Sequence, residues 1–314
     1  MRTTISLNRK WSFRKNVTAP VTAIDPTWDF VNLPHTWNGI DGQDGGGDFW
    51  RGTACYAKEI ARSELPAGER MLLDFPAANA SADVYVNGQH CGHHDGGYSA
   101  FRLDITDALR ENNLICVLVD NSVNDRVYPQ NADFTFYGGL YRGVNLIGVP
   151  ATHLDTETDG NPGLHAVPKL CGERAEVTLR TAVIGDAAGI SLHYAICDAA
   201  GHTVAETETD AQEAVLPIEK VHRWHGRKDP YLYTAQVTLC RGGEALDSIC
   251  VRFGCREYAI DPERGFILNG EEYPLRGVCR HQDRKGIGNA LTKKHHEVSG
   301  ALRKEETPQG SRGK

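Results

Sequence analysis

Alternation of apolar and polar positions with a period of two dominates the first half of the chain. The runs Ala82-Asp-Val-Tyr-Val-Asn-Gly-Gln and Asn113-Leu-Ile-Cys-Val-Leu-Val-Asp are short, rich in β-branched residues and bounded by turn chemistry, which predicts strands. Asn87-Gly88, Asp95-Gly96-Gly97 and Gly138-Gly139 punctuate such runs, and no long amphipathic pattern of helical period interrupts them. Asp104-Ile-Thr-Asp-Ala-Leu-Arg predicts a capped turn or two of helix between strands. Many short strands with regular turns imply a β-sandwich or barrel over 1–150.

The pattern pauses near Val149-Pro150, and a second series of strands follows at 175–183, 190–196, 233–239 and 248–253. That span, 151–256, has the size of an immunoglobulin-like sandwich but lacks the cysteine-tryptophan-cysteine framework of antibody domains. Asn269-Gly270, between Phe266-Ile-Leu and Glu271-Glu-Tyr, is a hairpin signal and predicts a new unit over 257–297. Residues 298–314 show no periodicity and carry Pro308, Gly310 and Gly313, so a disordered tail is expected.

Composition narrows the function classes. The net charge of −7 leaves no basic surplus for phosphates or anionic lipids, so no nucleic acid partner is expected. The absence of a long apolar run predicts no membrane span, and the first residues offer no signal-peptide core. Nine scattered cysteines with no C-x-x-C pair predict reduced, buried thiols in a cytoplasmic protein. His90, Cys91, His93 and His94 invite a metal site. Adjacent strand residues point to opposite faces, however, and surface histidines are the expectation. His295-His296-Glu297 lacks the spacing that puts two imidazoles on one helical face.

Several segments in one order carry a family resemblance. Trp11-Ser-Phe-Arg, Val31-Asn-Leu-Pro-His-Thr-Trp-Asn, Phe49-Trp-Arg-Gly-Thr-Ala-Cys-Tyr, Gly96-Gly-Tyr-Ser-Ala-Phe and Phe136-Tyr-Gly-Gly-Leu-Tyr-Arg-Gly-Val resemble the sugar-binding domain of glycoside hydrolase family 2. Trp224 with Pro230-Tyr-Leu-Tyr, and Phe253-Gly-Cys-Arg, resemble its immunoglobulin-like domain. Leu275-Arg-Gly-Val-Cys-Arg-His-Gln-Asp is similar to the segment that opens the catalytic (β/α)8 barrel, and the β-galactosidase-like branch is the nearest in kind. The resemblance implies an all-β chain, a jelly-roll sandwich followed by an immunoglobulin-like one, with a short stub of TIM barrel.

Hydrolysis with retention needs two carboxyl groups about 5 to 5.5 Å apart. In the family these are barrel glutamates, one of them in an Asn-Glu pair. This sequence contains no Asn-Glu, and residues 257–314 are too few for a barrel of at least about 200 residues. A non-catalytic part of a β-galactosidase-like enzyme is therefore expected, inactive alone, with a frameshift or premature end suspected behind the tail 298–314. A stand-alone carbohydrate-binding module is the alternative, and assembly with a separately made barrel is a third possibility.

By the same resemblance, Asp133, six residues before Gly139, would reach sugar hydroxyls and ligate a monovalent or magnesium cation in an intact enzyme. His281 would contact ring hydroxyls, and Asp48, in the acidic Gly-rich loop 44–48, would approach the sugar. The resemblance assigns no cofactor to this chain itself and carbohydrate as the partner. Arg280 is expected to form a structural ion pair. Trp28, Trp37 and Trp50 are expected as packing anchors, with a sugar-stacking platform as the other reading.

Overall fold

The computed structural model describes residues 1–41, 48–132, 134–277 and 279–306. Its contacts divide it into two units. One comprises Thr4–Pro66, Leu72–Ile147 and the chain from Arg280; the other comprises Met1–Thr3, Ala67–Met71 and Gly148–Cys279.

The first unit is built on a six-stranded antiparallel sheet. Its order is Asp29–Val31, Trp11–Lys15, Thr53–Ala61, Asn112–Asp120, Ser81–Val86, Gln89–Asp95. A four-stranded sheet has the order Thr3–Ser6, Asn145–Val149, Arg70–Phe75, Phe101–Asp104. Register explains the core: Tyr56 lies opposite Val117 and Val117 opposite Val84, and all three side chains are fully buried on one face. The other face is buried too. Cys55, Ala57, Cys116 and Leu118 pack beneath Val17, Val21, Ile24 and Trp28, which strap the outside of the sheet. Two-sided burial is why the run Leu-Ile-Cys-Val-Leu-Val is continuously apolar where a half-exposed strand would alternate.

Local chemistry sets the turns. Val86 pairs with Gln89 across Asn87-Gly88, whose φ values of 53° and 81° are both left-handed, the conformation that a two-residue hairpin requires. Asp104 Oδ1 accepts from Thr106 N at 2.8 Å and starts the 3-10 turn Thr106–Ala108.

The second unit has a three-stranded sheet, His165–Cys171, Arg174–Arg180, Glu213–Ile218, and a four-stranded sheet, Thr203–Thr209, Ile190–Cys197, Tyr233–Arg241, Glu244–Phe253. Val177, Leu179, Tyr194, Ile196, Ala235 and Val237 fill its core. Asp247 is fully buried in this unit and is met by Arg2. The guanidinium Nε donates to Oδ1 at 2.8 Å, and Leu154 N donates to Oδ2 at 3.0 Å. A small antiparallel sheet, Tyr258–Asp261, Gly265–Leu268, Glu271–Glu272, follows, and Leu268 pairs with Glu271 across Asn269-Gly270.

By contacts, residues through Cys279 group with the second unit and those from Arg280 with the first. The C-terminal third departs from expectation in two places. The described residues between Tyr273 and Asp283 form no strand. A parallel barrel strand takes its hydrogen bonds from neighbours that this sequence does not encode. Residues 298–306, expected to be disordered, belong to the helix Lys293–Glu306. Ala301-Leu-Arg-Lys-Glu-Glu are all strong helix formers, and this propensity prevails without an apolar stripe. Residues 307–314 lie outside the described residues. Among the described residues no helix is long and apolar enough to cross a membrane.

Candidate functional site

In the first unit, three loops converge on Gly138-Gly139. Thr36 Oγ1 donates to Gly138 O at 2.7 Å, and Asn38 Oδ1 accepts from Gly138 N at 2.8 Å and from Asn121 Nδ2 at 3.2 Å. Asn38 Nδ2 in turn donates to Trp50 O at 2.9 Å and to Asp41 Oδ2 at 3.1 Å, and the same carboxylate oxygen accepts from Trp50 N at 2.9 Å. Asn121 Oδ1 accepts from Gly52 N at 3.0 Å. On the far side, Asn79 and Gly139 exchange backbone bonds of 3.1 Å, and Tyr128 OH donates to Asn79 Oδ1. Asn38, Asn79 and Asn121 are all essentially fully buried. Burying three amides is tolerable only because their polar atoms are bonded, and a lost partner costs about 1–3 kcal/mol.

The two glycines are required by close approach. A Cβ on Gly138 would lie 2.0 Å from the Trp37 ring, and one on Gly139, whose φ is 129°, would lie 2.6 Å from His35 O.

Of the acids singled out in the sequence, Asp48 is described. Asp48 is exposed and accepts from Phe49 N at 2.8 Å, two residues before the anchored Trp50. Asp133, with the cation expected on it, and Asp44 lie outside the described residues. The flanks of Asp133 are well held. Gln130 is buried and accepts from Arg51 Nη1 at 2.8 Å, Phe134 packs on Phe136 at 4.9 Å, and the Arg51 guanidinium lies 4.5 Å from the Phe49 ring.

His281 is exposed, and the segment that carries it is tied to the same cluster. Tyr137 OH, next to Gly138, donates to Asp283 Oδ2 at 3.0 Å. Burial and that carboxylate push the Tyr137 phenol up to about 12. Arg280 bonds His296 Nδ1 at 3.2 Å, so its partner is an imidazole where a carboxylate was expected. Sequence reasoning missed Asn38, Asn79, Asn121, Tyr137 and Asp283. The last was visible only as the end of the Arg-His-Gln-Asp motif.

Trp28 and Trp37 are packing residues. Trp28 belongs to the strap over Cys55 and Cys116, and Trp37 is buried edge-on against Trp50 at 5.6 Å. The histidines of the strand Gln89–Asp95 form their own surface chain. His90 and His93 both meet Asp83 Oδ1 at 3.0 Å, and His93 Nε2 meets Asp95 at 3.0 Å. A bulge opposite Val84 and Tyr85 brings His90 and His93 to one carboxylate. Among the described residues no group of three or more His, Cys, Asp or Glu is placed to hold a metal ion.

Beside the cluster lies a groove of about 650 Å³ lined by Phe13, His35, Trp37, Asp41 and Ile287. His35 Nδ1 sits 2.8 Å from Tyr56 OH, and burial, with help from Lys15, lowers the imidazole from 6.5 to about 4. The folded chain therefore takes up this proton only near pH 4, whereas the unfolded chain takes it up near 6.5. Stability from this group is complete above pH 6.5 and is lost as pH falls toward 4. The slope is at most about 1.4 kcal/mol per pH unit, and the partial exposure of the ring reduces it. His35→Gln is expected to flatten the urea midpoint between pH 6.5 and 4, and an unchanged slope would exonerate His35.

Jelly-roll and immunoglobulin-like sandwiches, with loop acids at the end of the first, define a class. Residues 25–150 match the glycosyl hydrolases family 2 sugar binding domain and residues 162–256 match the glycosyl hydrolases family 2 domain that follows it. The chain belongs to glycoside hydrolase family 2. It is 35% identical to a β-glucuronidase of Bacteroides fragilis over 97% of its own length and 45% of that protein. It is 28% identical to the β-galactosidase BoGH2A of Bacteroides ovatus over 85% of this chain and 33% of that protein. The crystal structure of an FMN-binding β-glucuronidase from Facaelibacterium prausnitzii L2-6 superposes with a TM-score of 0.89 at 39% identity, covering 97% of this chain and 47% of that one. The chain thus spans less than half the length of these relatives and corresponds to the N-terminal part of a family 2 enzyme.

Proposed function

We propose that this chain provides the non-catalytic, sugar-approaching part of a β-glycosidase and does not hydrolyse glycosides by itself. The observation that carries this reading is the buried asparagine cluster. It fixes the roots of the loops bearing Asp48 and Asp133 and is tied through Tyr137 to the segment bearing His281. Fixed roots support the reading that the loops present carboxylate and imidazole groups, which suit sugar hydroxyls because they accept, and in the imidazole also donate, hydrogen bonds. The chemical step needs a further pair of opposed carboxyl groups.

Of the two substrate classes, β-glucuronides have the better support. Relatives at 35% and 39% identity are named β-glucuronidases, whereas two named β-galactosidases stand at 27% and 28% and a crystal structure named as a putative β-galactosidase stands at 33%. The purified chain is expected to release no chromophore from p-nitrophenyl β-glucuronide or β-galactoside. Turnover that follows the chain through purification would overturn the proposal. Selective glycan binding without turnover would favour the binding-module alternative.

A further inference from the structure

The six-stranded sheet of the first unit ends at Gln89–Asp95, whose outer edge pairs with no strand among the described residues. A free edge is a liability that proteins manage with charge. In the pair that joins this strand to Ser81–Val86, Asp83 lies opposite His93 and Ser81 opposite Asp95, so the four side chains stand on one face.

His93 touches both acids. Its Nδ1 lies 3.0 Å from Asp83 Oδ1 and its Nε2 lies 3.0 Å from Asp95 Oδ2. A neutral imidazole has one N–H and one lone pair, so it would donate to one of these oxygens and turn its lone pair on the other. Only the imidazolium satisfies both contacts.

The neighbouring groups leave that arrangement intact. His90 Nε2 shares Asp83 Oδ1 at 3.0 Å, and Asp95 accepts from Ser81 Oγ and from Arg126 Nε at 3.0 Å. Tyr85 packs on the His90 ring, and His94 is turned to the opposite face, stacked on Phe101. Asp120, opposite Ser81 on the next strand, is taken up by Thr53 and by Ser122 N. Arg126 stands in the chain leading to Gln130, so Asp95 joins the edge strand to the root of the next loop.

We propose that His93 is a proton-operated clasp for this edge: as an imidazolium it holds Asp83 and Asp95 together, and on losing its proton it releases one of them. Burial opposes the charge, but the bonds and charges of Asp95 and Asp83 outweigh it and raise His93 above the usual 6.5. The clasp is thus fully closed below pH 6.5 and opens as pH rises through the raised value. This is the reverse of His35, whose contribution is lost toward acid. Since 39% of the His93 side chain remains exposed, solvent screens the contacts, and the opening is a local fraying of the edge.

The test reads the ring itself. Long-range proton–nitrogen spectra of the labelled full chain are recorded from about pH 5 to about pH 9, and the His93 signals are assigned by their absence from His93→Gln. A midpoint above 6.5 is expected, with both nitrogens protonated below it. In Asp83→Asn with Asp95→Asn the midpoint should fall to 6.5 or lower, because burial is then unopposed. Amide exchange over 89–95, corrected for its intrinsic base dependence, should quicken several-fold through the midpoint in wild type and stay level in His93→Gln. A wild-type midpoint at or below 6.5, or edge exchange that ignores the midpoint, would overturn the proposal.

Discussion

Arg2→Ala should unfold the second unit at markedly lower urea, with a loss of roughly 3 to 5 kcal/mol. Asp247 is fully buried, and Arg2 is the cation that neutralises it, through Nε at 2.8 Å and Nη2 at 2.5 Å. Truncating the arginine leaves the carboxylate with only backbone donors, Leu154 N at 3.0 Å and Ser248 N at 2.9 Å. Backbone dipoles solvate a charge without cancelling it, so the cost is that of an unpaired buried ion. A double replacement, Arg2→Met with Asp247→Leu, should recover much of the loss, because a pair replaced by apolar groups of similar volume is often neutral. Two-wavelength urea melts on the wild type and the two variants separate these outcomes. A loss below about 1 kcal/mol for Arg2→Ala would show that the pair behaves as a surface one.

Gly138→Ala carries the second large effect. The added methyl would sit 2.0 Å from the Trp37 ring, and neither side has room to yield. Trp37 is buried against Phe13, Tyr56 and Trp50, while the glycine backbone is bonded on its N–H by Asn38 and on its carbonyl by Thr36. Overpacking of this kind costs about 1–3 kcal/mol, and breaking the Asn38 bond adds about 1–3 kcal/mol more. A melting temperature within a few degrees of wild type would mean that the turn relaxes and that the cluster is softer than its hydrogen bonds imply. Trp37→Phe in the Gly138→Ala background tests the cause directly, since it removes the clashing edge and should restore part of the stability.

Most of the fold was legible in the sequence because strands and turns leave local marks. Both Asn-Gly hairpins formed where the dipeptides stand, since few other residue pairs accept two successive left-handed conformations. The strands Asn112–Asp120 and Tyr233–Arg241 were visible as apolar runs of the right length. The helix Lys293–Glu306 was missed because its only mark is propensity, which is weak beside periodicity, and because Pro308, Gly310 and Gly313 in the same stretch read as breakers. The absence of strand structure around Leu275 was equally illegible, since the residues are those of a strand and what is missing is a neighbour.

The candidate site divides along the same line. Asp48, Asp133 and His281 were accessible only through resemblance, and nothing in their local sequence distinguishes them from solvated loop residues. Asn38, Asn79 and Asn121 were hidden for a different reason: an asparagine in a loop reads as a turn former, and only tertiary contact reveals that its amide is buried and used as a cross-link. Gly138-Gly139 was seen, but as a turn, and the stronger constraint is the indole pressed against it.

The separation of buried asparagine roots from exposed loop tips has an evolutionary consequence. Mutations can accumulate at positions such as Asp48 and Phe134 without disturbing the frame that presents them, whereas the frame itself tolerates almost none. A lineage built this way can vary its exposed loop positions one at a time, keeping the same interior throughout.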